Sequence, residues 1–200
     1  MSIRSIKTGT FSRKMLVGNT AFDPAATFLI QRVSPSATGN VTFSSIPQTY
    51  SSLQIRAITK DTSTTLYGPT SAYVYLRFNG TASGYMNHSL YGNGSSAVAY
   101  AGTTSNSIIE LPGTYMSSNA TYANMFSTFI IDIHDYASTT KNKTVRMIAG
   151  NDANGNGTTN AVVSLNSGLW NNTAAITSIN LYSAAGNYAT GTTFALYGIK

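Results

Sequence analysis

The chain has 200 residues, of which only 12 are basic and 6 acidic while 71 are Ser, Thr or Asn; its net charge is +6 and it has no Cys. Without thiols there is no disulfide framework and no thiolate metal site, and few acids, bases or metal ligands remain to gather in a catalytic pocket. An apolar fraction of 42% supplies a core for one large domain, and no stretch approaches the ~20 apolar residues of a membrane-spanning helix.

The N-terminal third of the charge comes first. Residues 1–32 hold Arg4, Lys7, Arg13, Lys14 and Arg32 against Asp23 alone, whereas the other 168 residues carry seven basic and five acidic groups. Met1 to Leu16 lacks an apolar h-region, which points to synthesis in a cytoplasm without Sec export. A basic arm can dock on an acidic protein surface or on nucleic acid. The charges are sparse and do not form a phosphate-tracking stripe, so a protein surface is the expected target and nucleic acid is not. Ser34 to Gly39, Ser-Pro-Ser-Ala-Thr-Gly, reads as the junction between this arm (1–39) and the main domain (40–200).

From there the recurring signal has period two. Leu53, Ile55 and Ala57 alternate with Gln54, Arg56 and Ile58; Val74, Leu76 and Phe78 with Tyr73, Tyr75 and Arg77. Phe129, Ile131 and Ile133 alternate with Ile130, Asp132 and His134; Thr177, Ile179 and Leu181 with Ile176, Ser178 and Asn180; Phe194, Leu196 and Gly198 with Ala195, Tyr197 and Ile199. β-Branched and aromatic residues suit a pleated, half-buried surface. Asn79-Gly80, Tyr91-Gly-Asn-Gly94, Asn154-Gly-Asn-Gly157 and Ala185-Gly-Asn187 break the runs with residues that tolerate positive φ. The only helical candidate is a turn or two within Ser117 to Phe126. The expected fold is all-β: a single antiparallel, jelly-roll-like β-sandwich with an extended N-terminal arm.

Candidate sites are few. Asp132 and His134 share a strand face, so the carboxylate can orient the imidazole for base catalysis. The competing reading is a strand-end ion and hydrogen-bond cluster with Lys141, Lys143 and Arg146. No Gly-x-Ser-x-Gly elbow accompanies the pair, and among 25 serines none is singled out as a nucleophile. His88 is isolated, and two distant histidines do not make a metal site. Asp152, Asn154 and Asn156 followed by Gly157 fit the start of an EF-hand calcium loop, but its twelfth position, which takes a bidentate Glu, is Val163, so a Gly/Asn loop is the better reading. The acids are Asp23, Asp61, Glu110, Asp132, Asp135 and Asp152. Asp132 and Asp135 point to opposite faces of a strand, unlike a glycosidase pair. No catalytic, cofactor-binding or metal site is assigned, and the chain is not expected to be an enzyme.

Tyr67, Tyr73, Tyr75, Tyr85, Tyr91 and Tyr100 cluster in the middle third. Tyrosines suit both subunit interfaces and sugar stacking, so another subunit or a host glycan is a candidate partner. If the rings are buried between subunits the first reading gains; if they line an exposed concave patch the second does.

Several phrases, taken as a set, point to a family. Ser45-Ile-Pro-Gln-Thr-Tyr50 leads into Leu53-Gln-Ile-Arg56, and Leu76-Arg-Phe-Asn-Gly80 precedes Tyr85, His88 and Tyr91-Gly-Asn-Gly94. Ile131 to Tyr136 precedes Lys141-Asn-Lys-Thr-Val145; then come Ser167-Gly-Leu-Trp170, Ile176-Thr-Ser-Ile179 and Thr193-Phe-Ala-Leu-Tyr-Gly-Ile-Lys200. Over Ser45 to Lys200 the chain resembles virion structural proteins of tailed phages infecting cyanobacteria and other aquatic bacteria. The resemblance implies a non-enzymatic virion component, assembled in the host cytoplasm, with other capsid or tail proteins as partners, and supplies no catalytic residues. The expected role is capsid decoration or cement, with a tail-associated or fibre module that binds host receptor or glycan as the alternative. A homo-oligomer such as a trimer would cover sheet edges.

Overall fold

Fourteen strands and no helix make up the residues that a computed structural model of the protein describes: 15–17, 20–22, 26–63, 73–102, 109–111, 124–152, 161–184 and 186–200. The strands are β1 (Met15–Val17), β2 (Thr20–Phe22), β3 (Thr27–Val33), β4 (Asn40–Phe43), β5 (Ser52–Thr59), β6 (Val74–Phe78) and β7 (Tyr85–Gly92). They continue with β8 (Ala97–Gly102), β9 (Ile109–Leu111), β10 (Ser127–His134), β11 (Lys143–Asn151), β12 (Val162–Trp170), β13 (Ile179–Ser183) and β14 (Thr193–Ile199). β1 and β2 pair only with each other. The rest form an eight-stranded sheet, β3-β14-β5-β10-β11-β12-β7-β8, and a four-stranded sheet, β4-β13-β6-β9. Every pairing is antiparallel, and one core cluster draws on both sheets.

The fold is therefore a β-sandwich. The first four strands of the large sheet, β3-β14-β5-β10, and the four of the small sheet, β4-β13-β6-β9, both contribute to the shared core, and β9 reaches across the interior to β12 and β7. Numbered in chain order, the eight strands of these two groups run 1-8-3-6 in the large sheet and 2-7-4-5 in the small one. The hairpins β7–β8 and β11–β12 are insertions, and both extend the large sheet beyond β10.

The core follows from strand alternation. β5 buries Leu53, Ile55 and Ala57; β10 buries Phe129, Ile131 and Ile133; β6 buries Val74, Leu76 and Phe78. Trp170 stacks on Tyr85 with ring centroids 6.0 Å apart and meets Phe78 at 5.6 Å. The Tyr85 hydroxyl accepts the Phe78 N–H at 2.8 Å, so its polar end is satisfied inside the core. At Gly198 a Cβ would lie 2.3 Å from the Tyr50 ring, which leaves glycine as the residue that fits.

Two expectations change. The junction drawn through residues 34–39 falls inside the sandwich, because Thr27–Val33 is already a strand paired with β14. A register shift at Leu196/Tyr197 sets Gln31 opposite Leu196 and Leu29 opposite Tyr197, with Ile30 as the extra residue. The inward side chains are thus Phe28, Ile30 and Val33, spaced two and then three, and the bulge hides the period. The supposed junction is bonded into the domain: Thr38 O accepts from Tyr188 N at 2.7 Å and Gly39 O from Ser183 N at 2.8 Å. The alternating run from Ile176 becomes strand only at Ile179. The Thr177 and Ser178 N–H groups are taken by the Asn79 side-chain oxygen at 2.9 and 3.1 Å, and the Ile176 N–H by Tyr136 O at 2.7 Å.

Turn chemistry is realised at Asn79-Gly80, where φ is 52° and 67°, at the corner where the chain leaves β6 for the other sheet. In the β7–β8 turn Gly94 has φ 85°, and Asn93 Oδ1 accepts from the N–H of Ser95 and Ser96. Residues 154–157 and 117–123, where a Gly/Asn loop and a helical turn are expected, lie outside the described residues.

Candidate functional site: the outer face of the large sheet

β10 carries Asp132 and His134 on the solvent side of the large sheet, one cross-strand step from β5 and β11. Asp132 accepts a hydrogen bond from Gln54 Nε2 at 2.8 Å and forms an ion pair with the Arg146 guanidinium at 3.0 Å. Burial pushes the Asp132 carboxyl up, but the hydrogen bonds from Gln54 and Arg146 and the charges of Arg146 and His134 outweigh it and hold it below the ordinary value. The carboxylate is thus spent on β5 and β11. His134, opposite Ser52 and Thr144 in register, is exposed. Asp132 therefore belongs to an ion and hydrogen-bond cluster with Gln54 and Arg146, while Lys141 pairs with Asp135 instead.

The neighbouring lysines stabilise the β10–β11 turn. Lys141 pairs with Asp135 at 2.9 Å. Lys143 is fully buried, and its ammonium donates to the carbonyls of Lys141, Ser138 and Thr173 at 2.6, 2.8 and 3.0 Å. Burial pushes its amine below the ordinary lysine value, and the Asp135 charge pulls the other way. Three carbonyls around one ammonium satisfy a buried cation and close the turn.

Other candidates are dispersed. His88 is exposed on β7, opposite Ser167 and Ala101. Glu110 is buried on β9 and accepts from the Tyr100 hydroxyl at 2.9 Å. Asp152 is exposed and the rest of its loop is not described. Among the described residues no three His, Cys, Asp or Glu side chains group to hold a metal, and no helix is long and apolar enough to cross a membrane.

The middle-third tyrosines turn inward. Tyr73, Tyr85 and Tyr91 are buried within the domain, Tyr75 and Tyr100 are half-buried, and Tyr67 lies outside the described residues. Burial, then the Tyr100 and Glu110 charges, raise the Tyr73 hydroxyl well above its ordinary value. Tyr73, Tyr85 and Tyr91 are thus interior, while Tyr75 and Tyr100 keep part of their surface exposed.

What reaches solvent instead is aliphatic. In the middle of β7 and β12 the usual pattern is inverted: between buried Tyr85 and Tyr91 on β7, and between buried Val162 and Trp170 on β12, Asn87, Ser89, Ser164 and Asn166 are buried, while Met86, Leu90, Val163 and Leu165 face out. The register aligns these with the outward residues of other strands. Arg56 pairs with Ile130, Ile130 with Ile148, Ile148 with Leu165, Leu165 with Leu90 and Leu90 with Ala99. In the other direction Arg56 pairs with Ala195 and Ala195 with Arg32. One cross-strand row therefore spans all eight strands, polar at the β3 end and aliphatic from β10 onward. Its four large aliphatics are 45–60% exposed. A shallow groove of ≈ 680 Å³ runs over this face, lined by Leu29, Ile58, Ile130, Ile148 and Val163 with Arg32 and Arg56. Each of these outward residues is unremarkable in one-dimensional sequence; only the pairing register lines them up.

No family model, no curated protein and no solved structure matches the chain.

Proposed function

We propose that the protein is a non-enzymatic structural component of a phage particle, a capsid decoration or cement subunit that docks through the outer face of its large sheet. The observation that carries this reading is the aliphatic row Ile130, Ile148, Leu165 and Leu90, exposed side by side across four paired strands. Contiguous exposed apolar surface marks an interaction site, whereas scattered surface aliphatics do not. The sandwich topology agrees with the reading without demanding it, since jelly rolls serve capsids, lectins and other functions. Asp132, Asp135, Lys141, Lys143 and Arg146 are engaged in internal bonds, which suits a presenting surface better than a reaction. Contacts between copies would use the strand edges, β3 and β8 in the large sheet and β4 and β9 in the small one, as in a ring such as a trimer. The alternative, a fibre or tail module that binds host glycan, draws less support because Tyr73, Tyr85 and Tyr91, three of the tyrosines expected to stack on sugar, are interior.

The test is particle association. Ile148→Lys places a charge in the row at an exposed position, so the domain folds and its association with particles purified from infected host cultures is lost. Electron microscopy of the wild-type particle is expected to show many regularly spaced copies on the head. A variant that assembles at wild-type occupancy removes the outer face from the interface, and a few copies at the tail favour the fibre reading.

A further inference from the structure

We infer that the outer groove is built for an extended acidic-apolar segment of a different protein, not for a second copy of this chain; the inference rests on the docking role proposed above and names its partner's chemistry. Arg32 and Arg56 flank Ala195 in one cross-strand row and border the groove with Leu29, Ile58, Ile130 and Ile148. Neither guanidinium has a carboxylate partner among the described residues, where the ion pairs are Lys141–Asp135 and Arg146–Asp132. Arg56 is nonetheless held in place: its Nε donates to Gln54 Oε1 at 2.7 Å and its guanidinium lies over the Tyr197 ring at 4.8 Å. That leaves a positioned cation with its outer edge toward the groove, the arrangement that recognises carboxylates.

Charge selects among the occupants. A second copy offers few carboxylates. Asp61 and Glu110 are buried, Asp132 and Asp135 are ion-paired, and Asp152, exposed but with a contact in its own chain, is one acid against two arginines. Residues 1–25 of this chain carry Arg4, Lys7, Arg13 and Lys14 against Asp23, so that segment is repelled by the two arginines. A partner with its own acids satisfies the arginines and covers the aliphatics at once. Arg32 and Arg56 stand two strand spacings apart, about 10 Å, which one turn of a polyproline II segment covers, at three residues per turn and about 3.1 Å per residue, with residues i and i+3 on the same side. The occupant thus carries acids three positions apart, followed by apolar residues that continue along the row toward β12.

The probe is the capped heptapeptide Glu-Gly-Ser-Glu-Leu-Ser-Val, titrated into isotopically labelled full-length protein and followed by NMR. The expected result is saturable shifts of the Ile130 and Ile148 methyls. Exchanging both Glu for Lys weakens binding at least about tenfold, and Arg32→Gln and Arg56→Gln each weaken it about two- to fivefold. Lys141→Gln, in the β10–β11 turn, leaves it unchanged. Equal binding of the Lys peptide, no shifts at millimolar peptide, or binding only to phosphatidylcholine–phosphatidylglycerol vesicles overturns the inference, the last in favour of a membrane surface. Particle association of Ile148→Lys is read separately. If that variant fails to assemble while the Glu peptide does not bind, the docking role stands and the acidic partner falls.

Discussion

The large sheet has two halves that obey different rules. In β3-β14-β5-β10, the half backed by an apolar inner face, residues such as Leu53, Ile55, Ile131 and Phe194 point inward. In the inserted half β11 still buries Val145, Met147 and Ala149, but the middles of β12 and β7 put Ser164, Asn166, Asn87 and Ser89 inside and Leu165, Val163, Leu90 and Met86 outside. The interior there is narrow. β9 lies close over β12, and a Cβ on Gly168 would sit 2.9 Å from Ile109. Ser164 and Asn166 are joined there at 3.0 Å, the large Tyr85, Tyr91 and Trp170 are buried toward the strand ends, and Leu165 and Leu90 stand on the other face. The difference teaches that one sheet can keep an unbroken apolar inner face at one end and place aliphatics on its outer face at the other.

The sharpest test of that division compares two isoleucines that are near neighbours in the sheet. Ile131 is fully buried and Ile148 is 60% exposed. Ile131→Ala is expected to cost about 2–5 kcal/mol, the range for truncation in a packed core. Ile148→Ala should stay within about 0.5 kcal/mol, as exposed sites usually do. Urea denaturation of both variants measures the difference. Comparable losses would mean that Ile148 is covered within the monomer and that the outer face is core.

Much of the backed half is legible in the sequence, because Leu53 to Ile58 and Phe129 to His134 alternate cleanly and their inner faces meet the opposite sheet. Three causes conceal the rest. The bulge at Ile30 breaks the period of β3. The inversion on β7 and β12 makes Met86-Asn87-His88-Ser89-Leu90 alternate with the wrong residues inside. The row across the outer face is a property of register, which no single strand encodes. Asp132 and His134 are legible as a pair, but their chemistry is decided by Gln54 and Arg146, whose proximity comes only from strand pairing. The tyrosines show the same limit, since composition cannot say which way a ring points.

A pH titration separates the two environments next. Asp61, at the end of the backed half and bridged to Tyr188, is buried. Burial pushes its carboxyl up to about 6, against a hydrogen bond from the Ser63 N–H. The folded state therefore binds a proton more readily than the unfolded chain between about pH 4 and 6. Stability falls as pH rises through that window, by up to about 3 kcal/mol for two pH units. Asp132, on the outer face, is shifted the other way, so its contribution is present above the unfolded carboxylate value and lost as pH falls through the lower folded one. Asp61→Asn keeps an acceptor for Ser63 and is expected to abolish the decline between pH 4 and 6 in thermal melts. A decline of the same size in that variant would assign it to another group.

The smallest expected effects come from two glycines, one in each half, and they ask how rigid each half is. A Cβ at Gly198 on β14 meets the face of the Tyr50 ring at 2.3 Å. That ring packs on Phe28 with centroids 5.9 Å apart, and the Tyr50 backbone is tied to the Tyr136 hydroxyl at 3.2 Å. The ring has little room to withdraw, so Gly198→Ala should cost about 1–3 kcal/mol, as overpacking does. A Cβ at Gly168 on β12 meets Ile109 side-chain atoms instead, at 2.9 Å. β9 is three residues long, and a rotamer change at Ile109 combined with a small shift of β9 relieves the contact. Gly168→Ala should therefore cost less than Gly198→Ala, about 1 kcal/mol or below. Thermal denaturation of the two variants decides the order. A larger loss at Gly168 would make the inserted half the more tightly packed one, and would place part of the stability core beneath the presenting surface.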